Sequence, residues 1–106
     1  MSQRIEKINE LIKQELSLLL LMDFPGEIIT INFLHTAADM SLTKVYVSVA
    51  SEHQSVYSSF KKKEAEYRKA LADKLVLRRV PKIEIIKDEM QGSIDRIESI
   101  LDEKQG

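Results

Sequence analysis

The sequence predicts an α+β fold in two layers, a three-stranded sheet with its helices on one face. Three observations carry this. Long stretches place apolar residues three and four apart, and short stretches alternate apolar with polar residues. Glycine and proline fall between these stretches and not inside them. At 106 residues, with 3 Gly and 2 Pro, the chain reads as a single domain over 1–106 that is rich in regular elements. A composition that is 43% hydrophobic and 31% charged is too apolar for a disordered chain.

Residues 4–21 form the first predicted helix. Ile5, Ile8, Leu11, Ile12, Leu16 and Leu19 fall on one stripe, with Arg4, Lys7, Glu10, Lys13 and Gln14 mostly off it. Leu18, Leu20 and Leu21 widen the apolar face, so that end is expected to be the more deeply buried. Asp23-Phe24-Pro25-Gly26 stops the helix, because proline disfavours helical backbone at the residue before it. Two half-buried strands follow. Ile29, Ile31 and Phe33 share one face of the first, and Val45, Val47 and Val49 share one face of the second. The short link from Ala37 to Leu42 makes the pair antiparallel. Tyr46 then falls on the opposite sheet face, as a partly covered strand tyrosine or a surface for stacking a base.

Residues 55–79 are helical in composition, but the apolar stripe is interrupted. Val56 and Phe60 begin it, Tyr67, Leu71 and Leu75 resume it, and Lys61-Lys62-Lys63-Glu64-Ala65-Glu66 lies between. One helix and two helices joined by a kink both fit this pattern. Val80-Pro81 ends the region, and Ile83 and Ile85 alternate with Lys82 and Glu84 as a third strand. Ser93 caps a short closing helix carrying Ile94, Ile97, Ile100 and Leu101. Met22, Met40 and Met90 are dispersed and read as packing residues.

Several function classes lack a signature. With no cysteine, disulfide scaffolds and Cys-based zinc sites are excluded. No phosphate-cradling glycine loop, Gly-x-Ser-x-Gly or His-Glu-x-x-His occurs. His35 and His53 read as surface or turn histidines. Asp39, Asp88 and Glu89 are scattered near element ends, so no acid–base pair is assigned. Neither an enzyme nor a cofactor or metal is expected. The longest apolar run, Leu18 to Met22, is far short of the ~20 residues that span a bilayer. With no signal-peptide pattern at the N-terminus, the expected location is cytoplasmic, away from membranes.

The net charge is -1, but it is unevenly placed. Residues 61–82 hold nine basic and three acidic side chains, a local balance of +6, against -3 before and -4 after. A field acts locally, so this segment is a candidate for an anionic partner even in a nearly neutral chain. The alternative is a solvated helix face.

Two segments carry a family resemblance. Asp39-Met40-Ser41-Leu42-Thr43-Lys44-Val45-Tyr46-Val47-Ser48-Val49 resembles the second-strand signature of ribosome-binding factor A. Leu77-Arg78-Arg79-Val80-Pro81-Lys82-Ile83-Glu84-Ile85-Ile86-Lys87-Asp88 resembles that family's leucine-arginine, proline, strand and aspartate segment. Arg4-Ile5 is similar to its start, and Ser93-Ile94-Asp95-Arg96-Ile97 with Ile100-Leu101 to its closing helix. The resemblance implies a type II KH-like fold, α-β-β-α-α-β plus a C-terminal helix. It implies a non-catalytic factor, often linked to cold adaptation, that binds the small ribosomal subunit and assists late maturation of 16S ribosomal RNA. The family's alanine-x-glycine kink between its central helices falls at Lys63-Glu64-Ala65, which keeps neither residue in place. The chain also stops at Gly106 on an acidic helix, so contacts made by the longer tail of many relatives are not expected.

On this basis the RNA-binding candidates are Lys61, Lys62, Lys63, Arg68, Lys69, Arg78, Arg79 and Lys82, with Arg4 and Lys7 from the first helix. Lysine and arginine neutralise phosphates and release counterions with little sequence readout. Arg4, Arg68 and Arg78 fall where the family also has arginine. Arg68 has a competing structural role, since it can reach Glu64 one helical turn back. The partners expected are the small ribosomal subunit and its ribosomal RNA, met by a monomer. The competing function is a small α+β interaction module that docks an acidic protein.

Overall fold

A computed structural model describes residues 3–89 of the chain. The elements run α1 (Gln3–Asp23), β1 (Ile29–Thr36), β2 (Leu42–Val49), α2 (Gln54–Lys74) and β3 (Lys82–Lys87). The sheet order is β1-β2-β3, with β1 antiparallel and β3 parallel to β2. A parallel partner requires a long crossover, and α2 supplies it. Both helices pack against the sheet and against each other. This is the expected two-layer, KH-like arrangement; its two central helices run here as one. The predicted closing helix from Ser93 to Leu101, and Met90, lie outside the described residues.

In α1, Ile8, Ile12, Leu16 and Leu20 are buried at steps of four. The expected deep burial of its C-terminal end is corrected: Leu18 and Leu21 are 55% and 64% exposed, and Met22 is 76% exposed. Only one ridge of the helix meets the core, and these three lie off it. Met40 does pack against the core. The turn after α1 is completed by Gly26 at φ 90, a backbone angle that favours glycine.

Strand β2 follows its alternation throughout, with Thr43, Val45, Val47 and Val49 facing inward. In β1 the register shifts between Ile31 and Phe33. This bulge inserts Asn32 and reverses the phase of every later side chain. The alternation places Phe33 inward beside Ile31; in the structure it lies outward against Tyr46, ring centroids 6.0 Å apart. Leu34 and Thr36 turn inward instead. The Asn32 amide then donates to Ser48 Oγ at 2.8 Å and to Asp88 Oδ2 at 2.7 Å. Thr36, now buried, is satisfied by Asn9 and by the Thr43 hydroxyl at 2.8 Å.

Helix α2 is uninterrupted from Gln54 to Lys74, so Lys63-Glu64-Ala65 does not divide it. The gap between Phe60 and Tyr67 is two helical turns, and positions 63 and 64 continue the same face between them. Both are half-buried and tied by polar contacts. Lys63 Nζ lies 3.5 Å from Asp23 at the end of α1. Glu64 Oε2 accepts the Ile85 N–H at 2.7 Å, which covers a donor on the edge strand β3. The missing apolar residues therefore mark a polar seam. The helix ends at Lys74, not at 79: Leu75 is extended, at φ -103 and ψ 137. Residues 75–81 return the chain to the sheet, with Pro81 buried and Leu77 and Val80 packed on the core.

Asp23 also accepts the hydroxyl of buried Tyr67 at 2.8 Å. Burial, then this hydrogen bond, then the charges of Asp23 and Glu66 push the Tyr67 hydroxyl well above its ordinary value of 10.0. A raised folded-state value means that the stabilisation is complete below the ordinary tyrosine range and fades as pH rises beyond it. Tyr67→Phe is expected to cost about 1–2 kcal/mol at neutral pH. It should also flatten the decline of stability above about pH 10, measured by urea unfolding across pH.

Candidate nucleic-acid interface

Along α2, Lys61, Lys62, Ala65, Arg68, Lys69 and Ala72 share one exposed ridge through their helical spacing. Lys63 is off this ridge. It sits between Asp23 and Glu66, 3.5 and 4.0 Å away, so its charge is spent locally. Lys61 remains on the ridge but pairs with Glu64 at 3.3 Å.

Where α2 ends, residues 75–81 fold back beside it. This forms an open groove of about 560 Å³ lined by Arg68, Lys69, Arg78 and Arg79 over Ala65 and Ala72. On the other side of the same segment lies a second groove of about 280 Å³. There Arg78 and Arg79 face Arg4 and Lys7 of α1. Leu77, Arg78 and Arg79 line both grooves and join them into one cationic belt. Lys82 is exposed at the start of β3, where its N–H donates to the Ser41 carbonyl in the β1–β2 turn at 3.1 Å. The sequence candidates thus fall into a connected group of Arg4, Lys7, Arg68, Lys69, Arg78 and Arg79. Lys61 and Lys62 extend it along the helix, Lys82 lies at the next strand, and Lys63 is turned away.

The ribosome-binding factor A family model matches residues 4–101. The chain belongs to the ribosome-binding factor A family. A ribosome-binding factor A from Chlorobium phaeobacteroides is 36% identical over 97% of this chain and 95% of its own length. One from Legionella pneumophila is 33% identical, over 95% of this chain and 86% of its own. The crystal structure of ribosome-binding factor A from Thermus thermophilus shares the fold. Its TM-score is 0.71 at 19% identity, covering 82% of this chain and 98% of that one. A homology model of the Thermus thermophilus factor, fitted into a cryo-EM map of a 30S–RbfA complex, matches with TM-score 0.64 at 20% identity, over 82% and 93% of the two chains.

Of the three arginines that the resemblance singles out, Arg4 and Arg78 line the smaller groove. Arg68 does something further. Its Nε and Nη2 donate to the Val80 carbonyl at 3.3 and 3.2 Å, clamping the 75–81 segment to α2. The competing role read from sequence, an ion pair with Glu64, is replaced by this clamp, because Glu64 turns to Ile85 and Lys61. Arg68→Ala is expected to cost about 1 kcal/mol and to speed amide exchange over 75–81 while leaving α2 intact. Lysine should restore little, since it lacks the planar fork.

Three lining residues escaped the sequence reading. Leu11 and Met40 looked like packing residues only, and Val76 looked helical. Val76 instead stands fully exposed at the smaller groove. Met40 holds φ 64 in the turn and lines the groove from below. The usable signal was the Leu75–Leu77 run placed just before Arg78-Arg79 and Pro81, where apolar residues meet cations in a segment that must leave the helix. Next to it, Asp39 Oδ1 accepts Ser41 N–H at 3.0 Å and Ser41 Oγ at 2.6 Å. These bonds, with the Arg79 charge behind them, hold the Asp39 carboxyl below its usual range. His53 precedes α2 and lies 3.6 Å from Glu27, and His35 is half-buried in β1. Among the described residues no helix is long and apolar enough to cross a membrane, and no cluster of three or more His or acidic side chains gathers to hold a metal.

Proposed function

We propose that this chain is a non-catalytic assembly factor that binds the small ribosomal subunit and assists late maturation of 16S ribosomal RNA. It acts in the cytoplasm as a single-domain monomer. The observation that carries the reading is the convergence of Arg4, Lys7, Arg68, Lys69, Arg78 and Arg79 on the two grooves flanking residues 75–81, in a member of the ribosome-binding factor A family. A relative of this fold has been fitted to a 30S complex, which supports the same partner here. The cations hold phosphates, and the shape of the folded RNA supplies selectivity, because the deep groove of duplex RNA offers side chains little to read.

The test is binding of the purified chain to isolated small subunits over a salt series. Affinity should fall steeply with salt, with a slope near -0.7 to -0.9 for each phosphate neutralised, and should survive removal of other soluble proteins. A flat salt response, or association that requires an additional acidic protein, would overturn the reading.

A further inference from the structure

The two grooves flanking residues 75–81 differ in what they offer. The groove beside α2 is open and floored by the small side chains of Ala65 and Ala72. The smaller one is walled by Ile8, Leu11, Met40 and Leu77, with Val76 fully exposed at its mouth. Among the described residues, every charged side chain lining the smaller groove is a cation: Arg4, Lys7, Arg78 and Arg79. The Asp39 carboxylate accepts from Ser41 and lies within reach of the Arg79 charge, but it does not line the groove.

A phosphate backbone is the kind of ligand that the cations of the open groove suit. It does not account for an apolar recess ringed by cations, since phosphates gain nothing from Leu11, Met40 or Leu77. The occupant such a recess suits has a flat apolar body with anionic groups attached, which describes a nucleotide taken out of its stack. Resting on the reading that the belt holds RNA, we propose that the smaller groove receives one unpaired nucleotide. Its base lies against Leu11, Met40 and Leu77, and its flanking phosphates meet Arg78 and Arg79. Arginine planes serve for stacking, since among the described residues no aromatic ring lines the site. Because Leu77, Arg78 and Arg79 line both grooves, a strand following the α2 ridge reaches the recess without leaving the belt.

The probes are a short RNA duplex carrying one bulged adenosine, the same duplex fully paired, adenosine monophosphate alone, and a short acidic peptide containing leucine. The bulged duplex should bind about tenfold more tightly than the paired one, in keeping with the contribution of one base contact, and both should show a steep salt dependence. Leu11→Gln removes apolar contact without altering charge, and Val76→Ser does so at a fully exposed position where folding is not at stake. Leu11→Gln should erase most of the bulge preference and Val76→Ser, at the mouth, should reduce it by a smaller factor, with paired-duplex binding unchanged in both.

Equal affinity for the two duplexes with the salt slope intact would overturn the nucleotide site while leaving the cationic belt standing. A bulge preference untouched by both substitutions would do the same. If neither duplex binds at low salt, the RNA reading itself fails and takes this inference with it. Saturable binding of the mononucleotide that displaces both duplexes would assign the groove to free nucleotides. Tighter binding of a leucine-containing acidic peptide, dependent on Leu11, would assign it to a protein. Either result overturns the proposal.

Discussion

Replacing Arg78 and Arg79 together by glutamate is expected to weaken binding to isolated small subunits by about 10- to 100-fold at moderate salt and to reduce the salt slope by about 1.4 to 1.8. The size follows from position. These two side chains line both grooves, so a strand crossing the belt loses two phosphate partners and meets two carboxylates. Both are exposed, and the loop conformation is held by the Arg68 contacts to Val80 and by packing of Leu77 and Val80, so folding should be preserved. Arg68 is a poor choice for the same experiment, since its loss releases the loop as well as a charge. Lys63→Gln is the matched control. Its ammonium already faces Asp23 and Glu66, so the slope should stay as in the unaltered chain. An unchanged slope in the double glutamate variant would remove the belt from consideration as the RNA-binding surface.

The largest loss of stability is expected from Phe60→Ala, about 3–5 kcal/mol. Phe60 is 1% exposed and joins the turn after α1 to α2. It meets Phe24 edge-on at 5.2 Å and Tyr57 edge-on at 5.9 Å. Such pairs add to the area buried. Tyr57 in turn accepts the Val49 N–H on its hydroxyl at 2.9 Å, so a cavity at Phe60 also loosens a tie between α2 and the end of β2. For a domain whose total stability is about 5–15 kcal/mol, this should lower the thermal midpoint by roughly 12 °C or more. Leu18→Ala, at a position 55% exposed, should stay within about 0.5 kcal/mol. A comparable loss in both variants would mean that the core does not lie where the buried ridge of α1 and the aromatic group of α2 place it.

The contrast between Phe60 and Leu18 also shows where sequence reading stops. Ile8, Ile12 and Leu16 could be placed on the core face of α1 because four-residue spacing is a property of the helix alone. Leu18, Leu20 and Leu21 looked equivalent in a run of leucines. Only the ridge that meets the sheet selects Leu20, buried at 2%, from its neighbours. In the candidate site, the concentration of cations over 61–82 was legible from counting. Their sorting was not, since Lys63 is withdrawn by Asp23, a residue forty positions earlier in the chain.

By itself the sequence determined the α+β class, the order helix, strand, strand, helical region, strand over the described residues, the inward faces of β2 and β3, and a basic segment suited to an anionic partner. All of these follow from periodicities and charges within a few neighbouring residues. The tertiary structure alone decided the bulge that turns Phe33 outward, the continuity of α2 and the joining of Arg4 and Lys7 to Arg78 and Arg79. Each depends on contacts between residues distant in sequence: β1 against β2, Glu64 against Ile85, and α1 against the 75–81 segment. A local pattern cannot encode such contacts, because the same interrupted stripe is produced by a kink and by a polar seam, and only the partner across the seam distinguishes them.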